Sequence, residues 1–268
     1  MPTKPTLIDT HCHLNFERYD ADRDDIVQKA IDNGVTRIII PAVDIESAEQ
    51  ALALSEQYEG VFVAVGVHPN STADFDADDL AKIEALSHHE KVISIGEIGI
   101  DYHWDKSPKA KQRESFEAQL ELASQRELPV IIHNREASED VMDVLEQWVK
   151  NLPESLKERP GVLHSFSAPP EIAERALAIG FYLGFTGPIT FKNAEDLRRV
   201  VRTVPLHRIL VETDGPFLTP HPYRGKRNKP EYIPLIADRL AGLHNLSLED
   251  MARQTTENAI RLFNLPSN

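Results

Sequence analysis

Leu7-Ile8-Asp9-Thr10-His11-Cys12-His13 opens on an apolar pair and ends in two histidines. In a strand, residues two apart point the same way, so both imidazoles face one side, able to share an ion, and Cys12 faces the other. The same beat recurs along the chain. Ile38-Ile39-Ile40, Val61-Phe62-Val63-Ala64-Val65, Val92-Ile93-Ser94-Ile95, Val130-Ile131-Ile132, Val162-Leu163, Phe181-Tyr182-Leu183 and Ile209-Leu210-Val211 bring the short apolar runs to eight. Continuous rather than alternating runs predict strands buried on both faces of a parallel sheet. Helical spacing fills the gaps, over residues 22–33, 46–58, 78–86, 108–126, 137–149, 170–179, 194–202 and 233–243. Gly34, Gly60 and Gly180 mark helix ends, and Pro170 lies near a helix start. Strand-helix alternation through the whole chain predicts an α/β fold, a (β/α)8 TIM barrel, with an extra C-terminal helix over 248–263 that caps or flanks it. An open doubly wound sheet is the competing fold, but no Gly-x-Gly-x-x-Gly follows the first strand.

The 268 residues, 41% of them hydrophobic, suffice for one core. Barrels of this kind commonly run to roughly 250 residues, so a single domain over 1–268 is expected. No apolar stretch approaches the roughly 18 residues of a membrane-crossing helix, and residues 1–5 lack the apolar core of a secretory signal, which makes the cytoplasm the expected compartment. Cys12 is the only cysteine, which excludes an intrachain disulfide. A net charge of −14 argues against a protein that grips long nucleic acid by charge alone, because that affinity comes from Lys and Arg displacing counterions. Local positive potential would have to come from bound divalent cations or from the run Tyr223-Arg224-Gly225-Lys226-Arg227-Asn228-Lys229-Pro230.

Four more apolar runs end in groups that bind metals. Glu97 follows the run at 92–95, His133 follows Ile132, His164 follows Leu163, and Asp214 lies just past Val211. All four sit at carboxyl ends of predicted strands, the face on which barrel active sites are built. Singly, each is an ordinary polar strand end or helix cap. Jointly, four histidines and two carboxylates exceed the three protein ligands of a typical catalytic zinc site, and two metal ions are the economical reading. Imidazole favours zinc, whereas carboxylate and water suit magnesium or manganese, so a mixed donor set leaves the ion open.

Six stretches carry a family resemblance. They are Asp9-Thr10-His11-Cys12-His13-Leu14, Gly66-Val67-His68-Pro69, Gly96-Glu97-Ile98-Gly99-Ile100-Asp101-Tyr102, His133-Asn134-Arg135, His164-Ser165-Phe166-Ser167 and Glu212-Thr213-Asp214. Together they resemble the signatures of the TatD family of metal-dependent hydrolases and deoxyribonucleases, in that family's motif order and over nearly the whole chain. The resemblance implies a barrel of the metal-dependent hydrolase type with a two-metal centre and phosphodiesterase chemistry. It implies that His11, His13 and Asp214 hold one divalent ion, that His133 and His164 hold the other, and that Glu97 bridges them. Asp214 then becomes the base that takes the proton of the attacking water. Three positions depart from the family's usual wording: Ala168-Pro169-Pro170 after Ser167, Gly215 after Asp214, and Lys229 before Pro230. None removes a ligand.

Around that set, His68 and Arg135 are candidates to support the metal ligands from behind or to contact phosphate, Arg135 because its planar fork matches two phosphate oxygens. Asp101, Tyr102 and His103 are expected to shape the pocket, and Lys192 is a weaker phosphate candidate in the loop after the seventh strand. Arg224 and Arg227, in the loop after the eighth strand, would lie on the rim and follow the backbone of a single-stranded end, with Phe217, Tyr223 and Tyr232 as a modest aromatic complement. The expected substrate is therefore a DNA end or another phosphodiester, with no membrane partner. Ester or amide hydrolysis, such as removal of D-aminoacyl groups from transfer RNA, is the alternative. A noncatalytic barrel that binds a metal or a partner is the distant one. Oligomeric state is not legible.

Overall fold

The computed structural model describes residues 5–266. Residues 1–4, part of the stretch read for a secretory signal, and residues 267–268 lie outside the described residues. Strands β1 (Leu7–Asp9), β2 (Val35–Pro41), β3 (Val61–Val65), β4 (Val92–Asp101), β5 (Val130–Arg135), β6 (Gly161–Leu163), β7 (Tyr182–Phe185) and β8 (Ile209–Val211) pair in chain order, all parallel. The ring closes just beyond β8 and β1. There Thr10 N donates to the Val211 carbonyl at 3.3 Å, Asp214 N to the His11 carbonyl at 2.8 Å and His13 N to the Gly215 carbonyl at 2.8 Å.

Helices α1 (Arg23–Asp32), α2 (Ile45–Gln57), α3 (Ala77–Leu86) and α4 (Lys109–Arg126) each return the chain from one strand to the next. Helix α5 (Ser138–Trp148) and the one-turn α6 (Glu154–Lys157) share the next crossover, followed by α7 (Pro170–Ala178), α8 (Glu195–Thr203), α9 (Ile233–His244) and α10 (Leu248–Phe263). The expected (β/α)8 TIM barrel is the architecture observed. No described helix is long and apolar enough to cross a membrane.

Side chains alternate along each strand, and this divides the core in two. Leu7, Ile38, Val63, Ile95, Ile132, Leu183 and Ile209 point outward into the layer under the helices. Ile8, Ile39, Phe62, Ile93, Ile131, Val162, Tyr182 and Leu210 point inward and form a separate cluster with Ala259, Leu262, Phe263 and Leu265. Helix α10 therefore plugs the amino-terminal end of the barrel. Asn258 Nδ2 donates to the Leu206 and Ile209 carbonyls at 2.8 Å each, fixing the plug to the start of β8, and Thr256 Oγ1 donates to the Thr6 carbonyl at 2.9 Å beside β1. One end sealed leaves the carboxyl-terminal end as the open mouth.

Two strands run further than their apolar stretches. β4 continues through Glu97 to Asp101 and β5 through His133 to Arg135, paired as Gly99 with His133, Ile100 with Asn134 and Asp101 with Arg135. Polar side chains end an apolar pattern but leave the backbone ladder intact. Gly99 is required there, since its φ is +145° and a Cβ would lie 2.0 Å from the His133 carbonyl oxygen. β1 instead ends earlier, at Asp9, so His11 and His13 are not on a regular strand. A parallel bridge between Cys12 and Gly215 holds their segment, and both imidazoles still face inward.

Candidate metal centre

Glu97, 2% exposed on β4, stands at the centre of the open mouth. Its Oε1 faces one group of imidazoles: His133 Nδ1 at 2.7 Å, His164 Nε2 at 2.8 Å and His68 Nε2 at 3.6 Å. Its Oε2 faces the other: His11 Nε2 at 3.4 Å and His13 Nε2 at 3.8 Å. Asp214 Oδ1 completes that second side, 3.7 Å from His11 Nε2 and 3.6 Å from His13 Nε2. Among the described residues, three overlapping groups have ligand atoms close enough to hold a cation: His11, His13 and Glu97; His11, His164 and Asp214; His68, Glu97 and His133. All six residues singled out by their strand ends thus meet, and His68, expected to support the ligands or contact phosphate, joins them.

Buried donors test whether a cation fits. Both ring nitrogens of His11 are buried without a hydrogen-bond partner, and its ring stacks on that of His164 at a centroid distance of 3.9 Å. A buried polar atom left unpaired costs about 1–3 kcal/mol, which coordination by a cation offsets. The donor set fits divalent metal.

Electrostatics prepares the same atoms. Burial alone would raise the Glu97 carboxyl, but His164, His68 and His11 around it hold it well below the usual carboxylate range. Burial would lower His164, yet Glu97, then Glu212 and Asp214, push it up to about 9. Burial, reinforced by neighbouring imidazoles, lowers His11 far down, His13 to about 4 and His68 to about 3, which leaves them neutral with lone pairs free to bind. Asp214 is pushed up to about 7, first by burial, with Glu97 and Glu212 adding to it against the pull of His164.

A layer of buried carboxylates holds these groups in place. Asp9 accepts from Thr213 N at 2.9 Å, Thr213 Oγ1 at 2.5 Å and His11 N at 3.3 Å, tying the two chain segments that carry His11 and Asp214. Glu212 accepts from Ser165 N at 2.9 Å and lies 3.9 Å from His164 Nδ1. It sits so close to β7 that a Cβ on Gly184 would fall 2.0 Å from its Oε1. Asp101 Oδ2 lies 2.9 Å from His133 Nε2, while its Oδ1 accepts from His103 N at 2.9 Å and Trp104 N at 3.1 Å. A carboxylate on the far nitrogen of a ligating imidazole fixes its tautomer and orientation. Sequence reading gave Asp101 a pocket-shaping place and missed Asp9 and Glu212. Their only signal was a carboxylate abutting an apolar strand.

Other expected contacts divide sharply. His68 and Arg135 line a cleft of about 850 Å³ above the cluster, with Lys106, Trp104 and Phe217. Lys192 is exposed and does not line it. Neither do Arg224 and Arg227. Arg224 lies over the Phe191 ring, 4.2 Å from its centroid. Arg227 pairs with Asp22, 2.5 Å away, and donates to the Arg18 carbonyl.

The family model described as TatD related DNase matches residues 8–264. The uncharacterized metal-dependent hydrolase YabD of Bacillus subtilis (strain 168) is 45% identical over 259 residues, covering 97% of this chain and 99% of YabD. The uncharacterized metal-dependent hydrolase YcfH of Escherichia coli (strain K12) is 36% identical over 266 residues, covering 98% of this chain and 97% of its own. The crystal structure of YJJV, a TatD homolog from Escherichia coli K12, superposes with a TM-score of 0.90 at 33% identity, over 97% of this chain and 98% of that one.

Proposed function

Because the chain belongs to the TatD family of metal-dependent hydrolases, we propose that it is a deoxyribonuclease that cleaves phosphodiester bonds at DNA ends, with a preference for single strands. The observation that carries this reading is the division of the Glu97 carboxylate between two groups of donors, Oε1 toward His133 and His164, Oε2 toward His11 and His13. In this reading His11, His13 and Asp214 hold one divalent ion, His133 and His164 the other, and Glu97 lies between. Bound there, such ions supply a Lewis acid for water and for the phosphate oxygens.

The protein's own groups do the rest. Asp214, its Oδ1 3.7 Å from His11 Nε2 and 3.6 Å from His13 Nε2, is placed as the acceptor of the proton that water loses on attacking phosphorus. Glu97 stays ionised and offsets positive charge at the centre. Asp101, 2.9 Å from His133 Nε2, keeps that imidazole turned toward Glu97, while Glu212, 3.9 Å from His164 Nδ1, adds negative charge behind His164. Arg135, on the cleft wall, neutralises a flanking phosphate.

The test is metal-stripped protein restored with magnesium, manganese or zinc in turn, and assayed on labelled single strands, closed circular duplex and D-aminoacyl transfer RNA. Metal-dependent shortening of single strands, with closed circles resistant, is expected. Deacylation without strand cleavage would replace this reading by the acyl one. Equal cutting of circles and short single strands would remove the preference for ends.

A further inference from the structure

Exposed aromatic side chains concentrate where the proposed chemistry occurs. Trp104 is 48% exposed and Phe217 45%, and both line the cleft that holds the histidine cluster, as does the exposed Leu218. Trp104 lies in the loop after β4 and Phe217 in the loop after β8, and in an eight-stranded ring those two strands face each other across the mouth. The metal-binding residues lie between.

The backbone that carries each ring is anchored. Asp101 Oδ1 holds the Trp104 amide at 3.1 Å while the same carboxylate contacts His133 through Oδ2, so one buried side chain sets both the tryptophan loop and a candidate ligand. Phe217 N donates to the Asp214 carbonyl at 2.8 Å, and the buried Asn228 amide donates to the Phe217 carbonyl at 2.6 Å and the Thr213 carbonyl at 2.8 Å. Each ring also has a cation beside it. The Arg135 guanidinium is 5.6 Å from the Trp104 centroid, and that of Arg18 is 5.9 Å from the Phe217 centroid. Each guanidinium lies over its ring, so a base would stack on the face away from the cation, with the charge close enough to meet its phosphate. Phe16 extends the Phe217 wall, its ring 6.3 Å away and edge-on.

We propose that Trp104 and Phe217 are two stacking platforms that grip nucleobases on either side of the scissile phosphate, making unpaired bases a condition of productive binding. This rests on the phosphodiesterase reading above and adds its specificity determinants. Bases inside a duplex present only edges to such rings, and a terminal pair offers a single face, so paired substrate would engage at most one platform.

The experiment is a double-mutant cycle on single-stranded hexamers, one with all its bases and one with tetrahydrofuran abasic units, assayed with the metal-loaded enzyme and its Trp104→Leu and Phe217→Leu variants. Expected is a loss of roughly five- to a hundredfold in kcat/KM for each variant on the base-bearing hexamer, and no further loss on the abasic one, which has nothing to stack. A second readout does not depend on turnover. Trp104 and Trp148 are the two tryptophans, so in a Trp148→Phe protein, rapid mixing with the base-bearing hexamer should quench Trp104 emission before cleavage, and the abasic hexamer should not. Equal losses on both hexamers, or no loss and no quenching, would overturn the platforms while leaving the nuclease reading standing. Failure of the wild-type enzyme to cut or bind either hexamer would instead remove the nuclease reading, and the platforms with it.

Discussion

At the scale of single residues, the centre is a set of groups whose protonation is set by burial and by one another. Asp214 occupies the left-handed region, with φ of 55°, which an aspartate tolerates better than most side chains, and its amide is tied to the His11 carbonyl. In the proposed role, Asp214→Asn keeps its place yet cannot take a proton, and kcat should fall roughly a hundred- to ten-thousandfold while metal content measured by elemental analysis persists. Wild-type turnover with full metal content would exclude that role. His164 supplies a pH signature. Its imidazole, raised to about 9, is protonated in the metal-free protein at neutral pH, and a metal takes only the neutral form. Metal affinity should therefore rise with pH up to about 9, roughly tenfold per unit where one proton is displaced, and calorimetry in buffers of different ionisation heat should detect the released proton. For folding of the metal-free protein the sign is opposite. A raised pKa adds stability that is fully present below the unfolded value of 6.5 and is lost as pH rises through about 9. The residues that converge here were legible as polar ends on apolar runs. Asp9 and Glu212 were not, because a buried carboxylate is defined by its donors, and Thr213, which gives Asp9 two of them, lies 204 positions away.

At the scale of elements, the strand and helix order could be read from continuous apolar runs alternating with helical spacing, and α10 was read with its observed bounds, Leu248–Phe263. The carboxyl ends of β4 and β5 were harder, since Glu97, Asp101 and His133 interrupt hydrophobicity without interrupting hydrogen bonding. Whether α10 caps or flanks the barrel depended on which side of it meets the inward cluster. Phe263, 2% exposed against that cluster, makes it a plug. Phe263→Ala should destabilise the protein by about 3–5 kcal/mol, as truncation of a buried aromatic does, read as a lower midpoint in urea. A shift of a few tenths of a kcal/mol would mean that the helix merely lies alongside the barrel.

At the scale of the whole molecule, a chain of net charge −14 gathers two carboxylates and five histidines into one buried mouth, and the cluster has its own claim on folding free energy. An ion that binds the native centre and not the unfolded chain adds about 2.7–4.1 kcal/mol at a hundred to a thousand times its Kd. Chelation should accordingly lower Tm by several degrees, and readdition of metal should restore it. An unchanged Tm would show that the centre folds without help from its ions. The sequence by itself determined the eight-strand rhythm, the open end on which polar groups collect and the six residues most suited to bind metal, because hydrophobic periodicity and side-chain alternation are local properties. Tertiary structure alone decided that Arg227 pairs with Asp22, that His68 joins the cluster, that Asp101 serves both His133 and Trp104, and that Trp104 and Phe217 line one mouth. Those relations join residues distant along the chain, and only closure of the barrel brings them within reach of one another.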